Sequence, residues 1–436
     1  MKKIVIIICL LFSGILNAFS QSDQDQLREY LRNFQYQKAL DYIEMQEPTK
    51  DLFIQKALCY KALGNYQKSL EILYPLSKEY NGDLQIITEM AVCYEALSQR
   101  DSGIDCYNEL IRLDSANVYF KMQKADLLYQ QGKYRQSLEL FRHINEDHGM
   151  TNALKRVGQC YEKLNLPDSA LLYFKEAWEI NPYDGFSAAS FVNLCLKTQR
   201  TPEAVAYSDK YMETDTTNHQ MNLLNALSYY SINDFESAIS KFEGCINRGD
   251  SSLIVNRSLG LSYYSIGESE KAYPYLDRAF AQDTTNNNVL YCLAVTCNDE
   301  AKYDDAAFYF QKLLDRTIPP DMALYLYYRG MAIAYERNMK NQEAVDSYLL
   351  ALNYAKGNQK MHLYYTIAQL YELFLREDAD ALVYYKLYNT SLTEYYEDLK
   401  VKADTEPMEI EETKMKLDNL DGYIKRLEKR ITKKAF

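Results

Sequence analysis

The chain has 436 residues, a formal net charge of −12, 25% charged and 47% hydrophobic residues. That composition suits an ordinary folded protein, too long for one compact core and too acidic to hold nucleic acid through its bulk surface. Forty-one tyrosines, against one tryptophan and nine prolines, are the outlier, and rings with a polar tip serve binding surfaces as well as cores.

The first segment, MKKIVIIICLLFSGILNAFSQ, sets two lysines before an apolar run from Ile4 to Leu16, then Ala18, Phe19 and Ser20 before Gln21. Residues 1–20 therefore read as a secretory signal peptide cleaved after Ser20, and the product as exported, periplasmic or extracellular and associated with the cell envelope. Cys9 follows Ile8 in mid-run, where a lipoprotein acceptor wants a small residue. No later run is long enough to span a membrane, so no transmembrane segment is expected in the mature chain. Residues 21–49 read as a short N-terminal capping helix pair, with Phe34 where later units carry a turn glycine.

From residue 50 to 390 one pattern recurs. Between Thr151 and Asp184 a first helix carries Leu154, Val157, Gly158 and Tyr161 on one face, a turn spans Asn165 to Asp168, and a second helix carries Ala170, Phe174 and Ala177 until Asn181-Pro182 stops it. The small residue at Ala170 recurs at Ala39, Ser69, Gly103, Ser137, Ala204, Ala238, Ala272, Ala306, Ala344 and Ala381, in steps of 30, 34, 34, 33, 34, 34, 34, 34, 38 and 37. Twelve positions earlier the first helices carry Ala57, Ala91, Ala125, Gly158, Ala226, Gly260, Ala294 and Ala332, with Val192 as the exception. Small residues at a crossing let two helix backbones approach closely. Asp114-Ser115, Asn181-Pro182, Asp215 to Asn218 and Asp283 to Asn286 supply capping residues between units, and Ile318-Pro319-Pro320-Asp321 marks an insertion.

The order of small residue, Tyr, Ala, Phe, Ala and Pro at Gly158, Tyr161, Ala170, Phe174, Ala177 and Pro182 resembles the tetratricopeptide repeat, a helix-turn-helix unit. The resemblance implies an all-α fold, a right-handed α-solenoid of about ten stacked helix pairs, whose first helices line a concave groove that holds peptides or extended protein segments. The carboxylate clamp of chaperone-binding relatives is not reproduced, since Lys155 and Asn193 are isolated matches. By register, the concave face carries Tyr119, Tyr129, Lys155, Asn193, Tyr230, Arg257, Tyr264, Tyr291, Arg329 and Tyr365. Rings supply contact area and the two arginines can hold a carboxylate.

Residues 391–436 depart from the pattern. Ser391 to Lys402 reads as one more helix, and Met408 to Lys434 as a long charged helix with Ile410, Leu417, Ile424 and Ile431 seven apart and Leu420 and Leu427 interleaved, a coiled-coil type of seam. That helix either caps the last repeat or serves self-association through residues 408–434.

Eight cysteines remain after the signal peptide. Cys59, Cys93 and Cys160 occupy equivalent positions in their units, about 8–10 Å apart or more by helix packing, beyond the roughly 7 Å that a disulfide permits. Most of the eight are therefore expected as free, buried core residues. No motif for nucleophilic, metal or phosphate chemistry is present, so no cofactor, metal or catalytic residue is assigned and the protein is read as a non-enzymatic scaffold for a protein or peptide partner, not for nucleic acid. A sensory or regulatory module and a glycan-binding envelope protein are the alternatives.

Overall fold

A computed structural model describes residues 26–316, 320–401 and 407–434. The expected signal peptide and its cleavage site, and Ile318 and Pro319 of the expected insertion, lie outside these residues. The chain divides into two compact units at Arg200. Unit 1 holds α1 (26–32), α2 (Tyr36–Glu44), α3 (Lys50–Ala62), α4 (Tyr66–Glu79), α5 (Leu84–Ala96), α6 (Arg100–Leu113), α7 (Val118–Gln130), α8 (Tyr134–His148), α9 (Thr151–Lys163), α10 (Pro167–Ile180) and α11 (Gly185–Lys197). Unit 2 holds α12 (Thr201–Met212), α13 (His219–Ser231), α14 (Phe235–Asn247), α15 (Leu253–Ser265), α16 (Ser269–Gln282), α17 (Asn287–Asp299), α18 (Tyr303–Arg316), α19 (Asp321–Arg337), α20 (Asn341–Leu352), α21 (Asn358–Gln369), α22 (Asp378–Val401) and α23 (Pro407–Lys434). Between α21 and α22 lies a π-helix, Leu370–Leu375. Among the described residues there is no strand. From α2 onward within unit 1, and throughout unit 2, consecutive helices pack on one another, so each unit is a stretch of α-solenoid.

Every expected small residue of the second helices is buried. Where a first helix carries glycine instead of alanine, a Cβ would strike its partner helix: at Gly158 it would lie 2.8 Å from the Phe174 ring, and at Gly260 2.9 Å from Leu276. Ser137 uses its hydroxyl at the same crossing, donating to the Ala125 carbonyl at 2.8 Å.

The turns repeat even more strictly than the small residues. Phe34, Gly64, Ser98, Gly132, Asn165, Gln199, Asn233, Gly267, Ala301, Met339 and Arg376 all take φ between 56° and 80°. Each stands five residues before the small residue of its second helix. Except after Arg376, where Glu377 reaches the Tyr371 carbonyl six positions back at the end of the π-helix, the following residue donates to a carbonyl five positions earlier, as Asn65 does to Tyr60 at 2.8 Å and Lys302 to Cys297 at 2.8 Å, which closes the helix end in a Schellman manner. Eight of these residues are not glycine, although the left-handed conformation costs an ordinary side chain roughly 1–2 kcal/mol. Hairpin geometry overrides local preference at these positions.

Between units, two caps, Asn218 and Asn286, are the last members of expected polar clusters, and a third, Asn117, lies two residues beyond the expected Asp114-Ser115. Asn117, Asn218 and Asn286 accept from backbone N–H groups of α7, α13 and α17. Asp215 and Asp283 instead each accept from the N–H and hydroxyl of the threonine two residues on, Thr217 and Thr285. That turn fixes the approach of the chain to the cap.

The tyrosine excess has a packing explanation for many rings. Tyr107 donates to Glu95 at 2.7 Å, Tyr348 to Glu336 at 2.6 Å, Tyr229 to Asp209 at 2.7 Å, and Tyr263 to Glu243. A ring filling a crossing thus keeps its hydroxyl satisfied. Bonding to the Asp209 carboxylate, and then burial, push Tyr229 up to about 12.

All eight cysteines among the described residues are free and buried. Burial pushes Cys59 up to about 11 and Cys106, Cys292 and Cys297 to about 12, so the reactive thiolate is scarce at neutral pH. Ellman's reagent is expected to label the native mature protein far more slowly than the guanidinium-unfolded chain, and a reductant to leave the thermal midpoint unchanged. Rapid labelling of several thiols in the native state would contradict this burial.

The C-terminal region departs from its expected division. α22 runs unbroken from Asp378 to Val401, so the boundary expected between 390 and 391, and the separate helix at Ser391, fall inside one helix. The hydrophobic row of α23 packs inside unit 2: Leu420, Ile424 and Leu427 are buried with Ala381, Tyr385 and Leu392, flanked by Leu417 and Ile431. The seam is therefore occupied by the chain's own last repeat, the capping alternative of the two expected.

Candidate functional site

In unit 2 the first helices of successive hairpins touch one another, α13 with α15, α15 with α17 and α17 with α19. They make a continuous wall because small residues and buried asparagine and serine occupy the crossings, among them Asn225, Asn256, Ser258, Ser262 and Asn298. Asn225 donates to the Ser208 and Asp209 side chains of α12, and Asn256 and Ser262 donate to carbonyls of their own segments, whereas Asn298 ties α17 to α19. Asn298 donates through Nδ2 to the Gly330 carbonyl at 3.0 Å, and Arg337 donates to the Asn298 carbonyl at 2.9 Å.

The repeat register aligns two rows on this wall: Leu223, Arg257 and Tyr291 at steps of 34, then Arg329 after the 38-residue step that contains the insertion, in one, and Tyr230 and Tyr264 in the other, continued by Asn298. Tyr230 is half-buried, edge-on to Phe235 at 5.8 Å and Phe242 at 6.5 Å. Burial raises its pKa, and the charge of Arg257 opposes that rise. Tyr264 is pushed up to about 12, chiefly by burial and further by Cys292, Tyr291 and Asp299. Tyr291 stands edge-on to Phe310 at 6.2 Å and lies 5.8 Å from Tyr327, with Arg329 opposing the rise that burial causes. Neither Arg257 nor Arg329 has a carboxylate ion-pair partner among the described residues. Two unpaired guanidinium groups among rings can grip a carboxylate and the apolar side chains beside it. Tyr327, which register did not single out, belongs to the same surface; its signal was a third ring within the run Tyr325 to Tyr328.

The four residues expected in unit 1 are arranged differently. Tyr119 is exposed and edge-on to Phe120 at 5.9 Å. Tyr129 packs on Tyr134 at 5.2 Å, with the Arg156 guanidinium 6.0 Å from its ring centre. Lys155 is already paired, its Nζ 2.9 Å from Asp184. Burial works to raise the Asp184 pKa, but hydrogen bonds from Ser187 and Lys155 hold it below the usual carboxylate range. Lys155 is therefore a structural ion pair between α9 and the start of α11, not a free cation. Asn193 is half-buried on α11. Tyr365 lies apart from the wall, 5.1 Å from Tyr388 and 6.3 Å from Tyr385.

The C-terminal helix is held by a carboxylate cluster that the sequence did not reveal. The π-helix turns Glu372 inward, where it is 8% exposed. It accepts from Tyr385 at 3.0 Å, from Arg430 at 2.7 Å and from Tyr423. Asp378 accepts from Arg430 and from Lys434, both at 2.6 Å. Among the described residues no group of three or more His, Cys, Asp or Glu could hold a metal ion, and no helix is long and apolar enough to cross a membrane.

Stacked helix hairpins with tight small-residue crossings and a continuous wall of first helices define a helical-repeat interaction scaffold. Residues 122–185 match the tetratricopeptide repeat family model. Tetratricopeptide repeat protein 1 of Schizosaccharomyces pombe is 22% identical over 199 residues, which cover 42% of this chain and 19% of that protein. The chain thus spans about a fifth of the length of the curated relative it matches. Among solved structures, the C-terminal part of a TPR repeat-containing protein from Cytophaga hutchinsonii is 19% identical, with a TM-score of 0.42 and coverage of 55% of this chain and 97% of that one. A tetratricopeptide repeat protein from Parabacteroides merdae is 15% identical, with a TM-score of 0.41 and coverage of 58% and 98%.

Proposed function

We propose that this protein is a non-catalytic scaffold of the bacterial cell envelope that holds an extended polypeptide segment along the wall of α13, α15, α17 and α19. Protein–protein interaction is the general role of tetratricopeptide repeats. The carrying observation for the finer reading is the alignment of Arg257 and Arg329, both without a carboxylate ion-pair partner, with Tyr230, Tyr264, Tyr291 and Tyr327 across four touching helices. The envelope location rests on the N-terminal pattern of two lysines, an apolar run and Ala18-Phe19-Ser20.

Site-specific photo-cross-linking from the wall in the native cell, followed by mass spectrometry, identifies the segment. Arg257→Glu with Arg329→Glu, combined with Tyr230→Ala and Tyr264→Ala, is expected to weaken its binding by about tenfold or more, as loss of central aromatic and arginine anchors does. Full retention of that partner by the folded quadruple variant overturns the reading. Edman sequencing of the secreted or periplasmic product is expected to start at Gln21.

A further inference from the structure

α23 has two unlike flanks. Arg430 and Lys434 turn inward onto Glu372 and Asp378. Lys416, Arg426, Lys429 and Lys433 have no carboxylate ion-pair partner among the described residues. Arg426, Lys429 and Lys433 follow one another at three and four residues, so they share one face of the helix. With Arg430 and Lys434 they line a hollow of about 450 Å³ that has no other lining residue. Next to it, and sharing Arg426, a groove of about 880 Å³ runs between α21, the π-helix, α22 and α23, walled by Tyr365, Tyr385, Tyr388, Tyr423 and Leu373. Gly422 keeps that groove open, because a Cβ there would meet only the Arg426 guanidinium, at 3.7 Å. Of its two lining carboxylates, Glu372 is engaged by Tyr385, Tyr423 and Arg430, which leaves Asp418 as the other.

We infer that this face docks an acidic polypeptide segment bearing an aromatic or large apolar side chain, the side chain entering the tyrosine groove and the neighbouring carboxylates meeting Arg426, Lys429 and Lys433. Complementarity of charge carries the choice of partner. A row of unpaired cations stands on a chain of net charge −12, so its field selects an acidic ligand against the repulsion of the surrounding surface. The recessed ring-lined groove beside it suits one inserted side chain, the arrangement of an anchor with a charged rim. A flat anionic lipid surface would use the cations and leave the groove empty. The surface is distinct from the wall of α13 to α19, and it shares with the expected concave residues only Tyr365.

Fluorescence anisotropy on the full mature protein tests this with a synthetic Glu-rich peptide carrying two phenylalanines and with the same peptide carrying serines in their place. The phenylalanine peptide is expected to bind with an affinity that falls as salt is added, and the serine peptide to bind about tenfold more weakly or worse. Lys429→Glu with Lys433→Glu leaves the inward ion pairs intact and is expected to weaken binding by about tenfold. Gly422→Leu fills the groove and is expected to remove the advantage of phenylalanine over serine. If Gly422→Leu fails to fold, Tyr388→Ala is expected to diminish that advantage. The wall variants at Arg257 and Arg329 should bind the peptide as the parent does, which separates this surface from the proposed wall. Equal binding of both peptides, indifference to the α23 variants, or binding only to phosphatidylglycerol vesicles overturns the inference. So does loss of peptide binding on dilution of a self-associated species seen by sedimentation.

Discussion

Gly330→Ala is expected to destabilise unit 2 by about 1–3 kcal/mol, the usual cost of forcing an extra carbon into a packed core. Its Cβ would lie 2.2 Å from Cζ of Phe310 and under 3 Å from two further ring carbons. Phe310 is fully buried on α18 and stands edge-on to Tyr291, so the ring has nowhere to retreat without disturbing the wall. Alanine gains about 1 kcal/mol over glycine in a helix interior, and here the clash outweighs that gain. Gly422→Ala provides the opposite case, since its Cβ meets nothing closer than 3.7 Å, and a gain of about 0.5–1 kcal/mol is expected. Circular dichroism melts of the two variants decide the point. A rise in midpoint for Gly330→Ala comparable to that for Gly422→Ala would show that α18 and α19 do not approach as described.

Loss of the Glu372 carboxylate should release α23. Glu372→Ala removes the shared acceptor of Tyr385, Tyr423 and Arg430. A cost of about 2–3 kcal/mol is expected, below the 3–5 typical of a broken buried pair because Arg430 keeps Asp378 and is itself half-exposed. Hydrogen exchange read by mass spectrometry should lose protection across α23 while α13 to α17 keep theirs. Uniform loss across unit 2 would sink the idea of a separable latch. The single tryptophan, Trp178, lies in unit 1 and donates its indole N–H to the Pro182 carbonyl at 3.1 Å, so its emission should not respond.

Acid should act on the same contacts. Burial works to raise the pKa of Glu372, but hydrogen bonds from Tyr423, Arg430 and Tyr385 hold it below the ordinary glutamate range. Lys434 first, then Arg430, hold Asp378 low against burial. A depressed folded pKa means that the stabilisation is complete above the unfolded values, about 4.3 for Glu and 3.9 for Asp, and is lost as pH falls through the folded ones. Protection of α23 should therefore be constant from neutral pH to about 5 and decline only below about 4. A decline centred near pH 6 would point to some other group.

The repeat array was legible because its determinants are local and periodic. Ala170, Gly158 and Tyr161 recur at fixed offsets since every crossing poses the same steric problem, and one answer, a small residue against a ring or leucine, recurs along the chain. The expected turn positions were legible for the same reason, although only Gly64, Gly132 and Gly267 advertise the left-handed conformation that Met339 and Arg376 also adopt. Gly330 escaped notice because Ala332 satisfied the register, while the close approach to Phe310 is to the preceding hairpin. Which of the expected wall residues are free to bind was not legible: Lys155 and Arg329 look alike by offset, yet Asp184 neutralises only the first.

By itself, then, the sequence determined an all-α array and the phase of its hairpins, because these follow from helical periodicity and side-chain size within about one repeat. Tertiary structure alone decided that α22 continues past residue 390, that a π-helix turns Glu372 inward, and that α23 spends its apolar row on the last repeat while leaving one row of cations unpaired. Those outcomes depend on partners such as Glu372 and Arg430, 58 residues apart. Pairing over that distance is set by packing and charge neutralisation in three dimensions, which no spacing along the chain encodes.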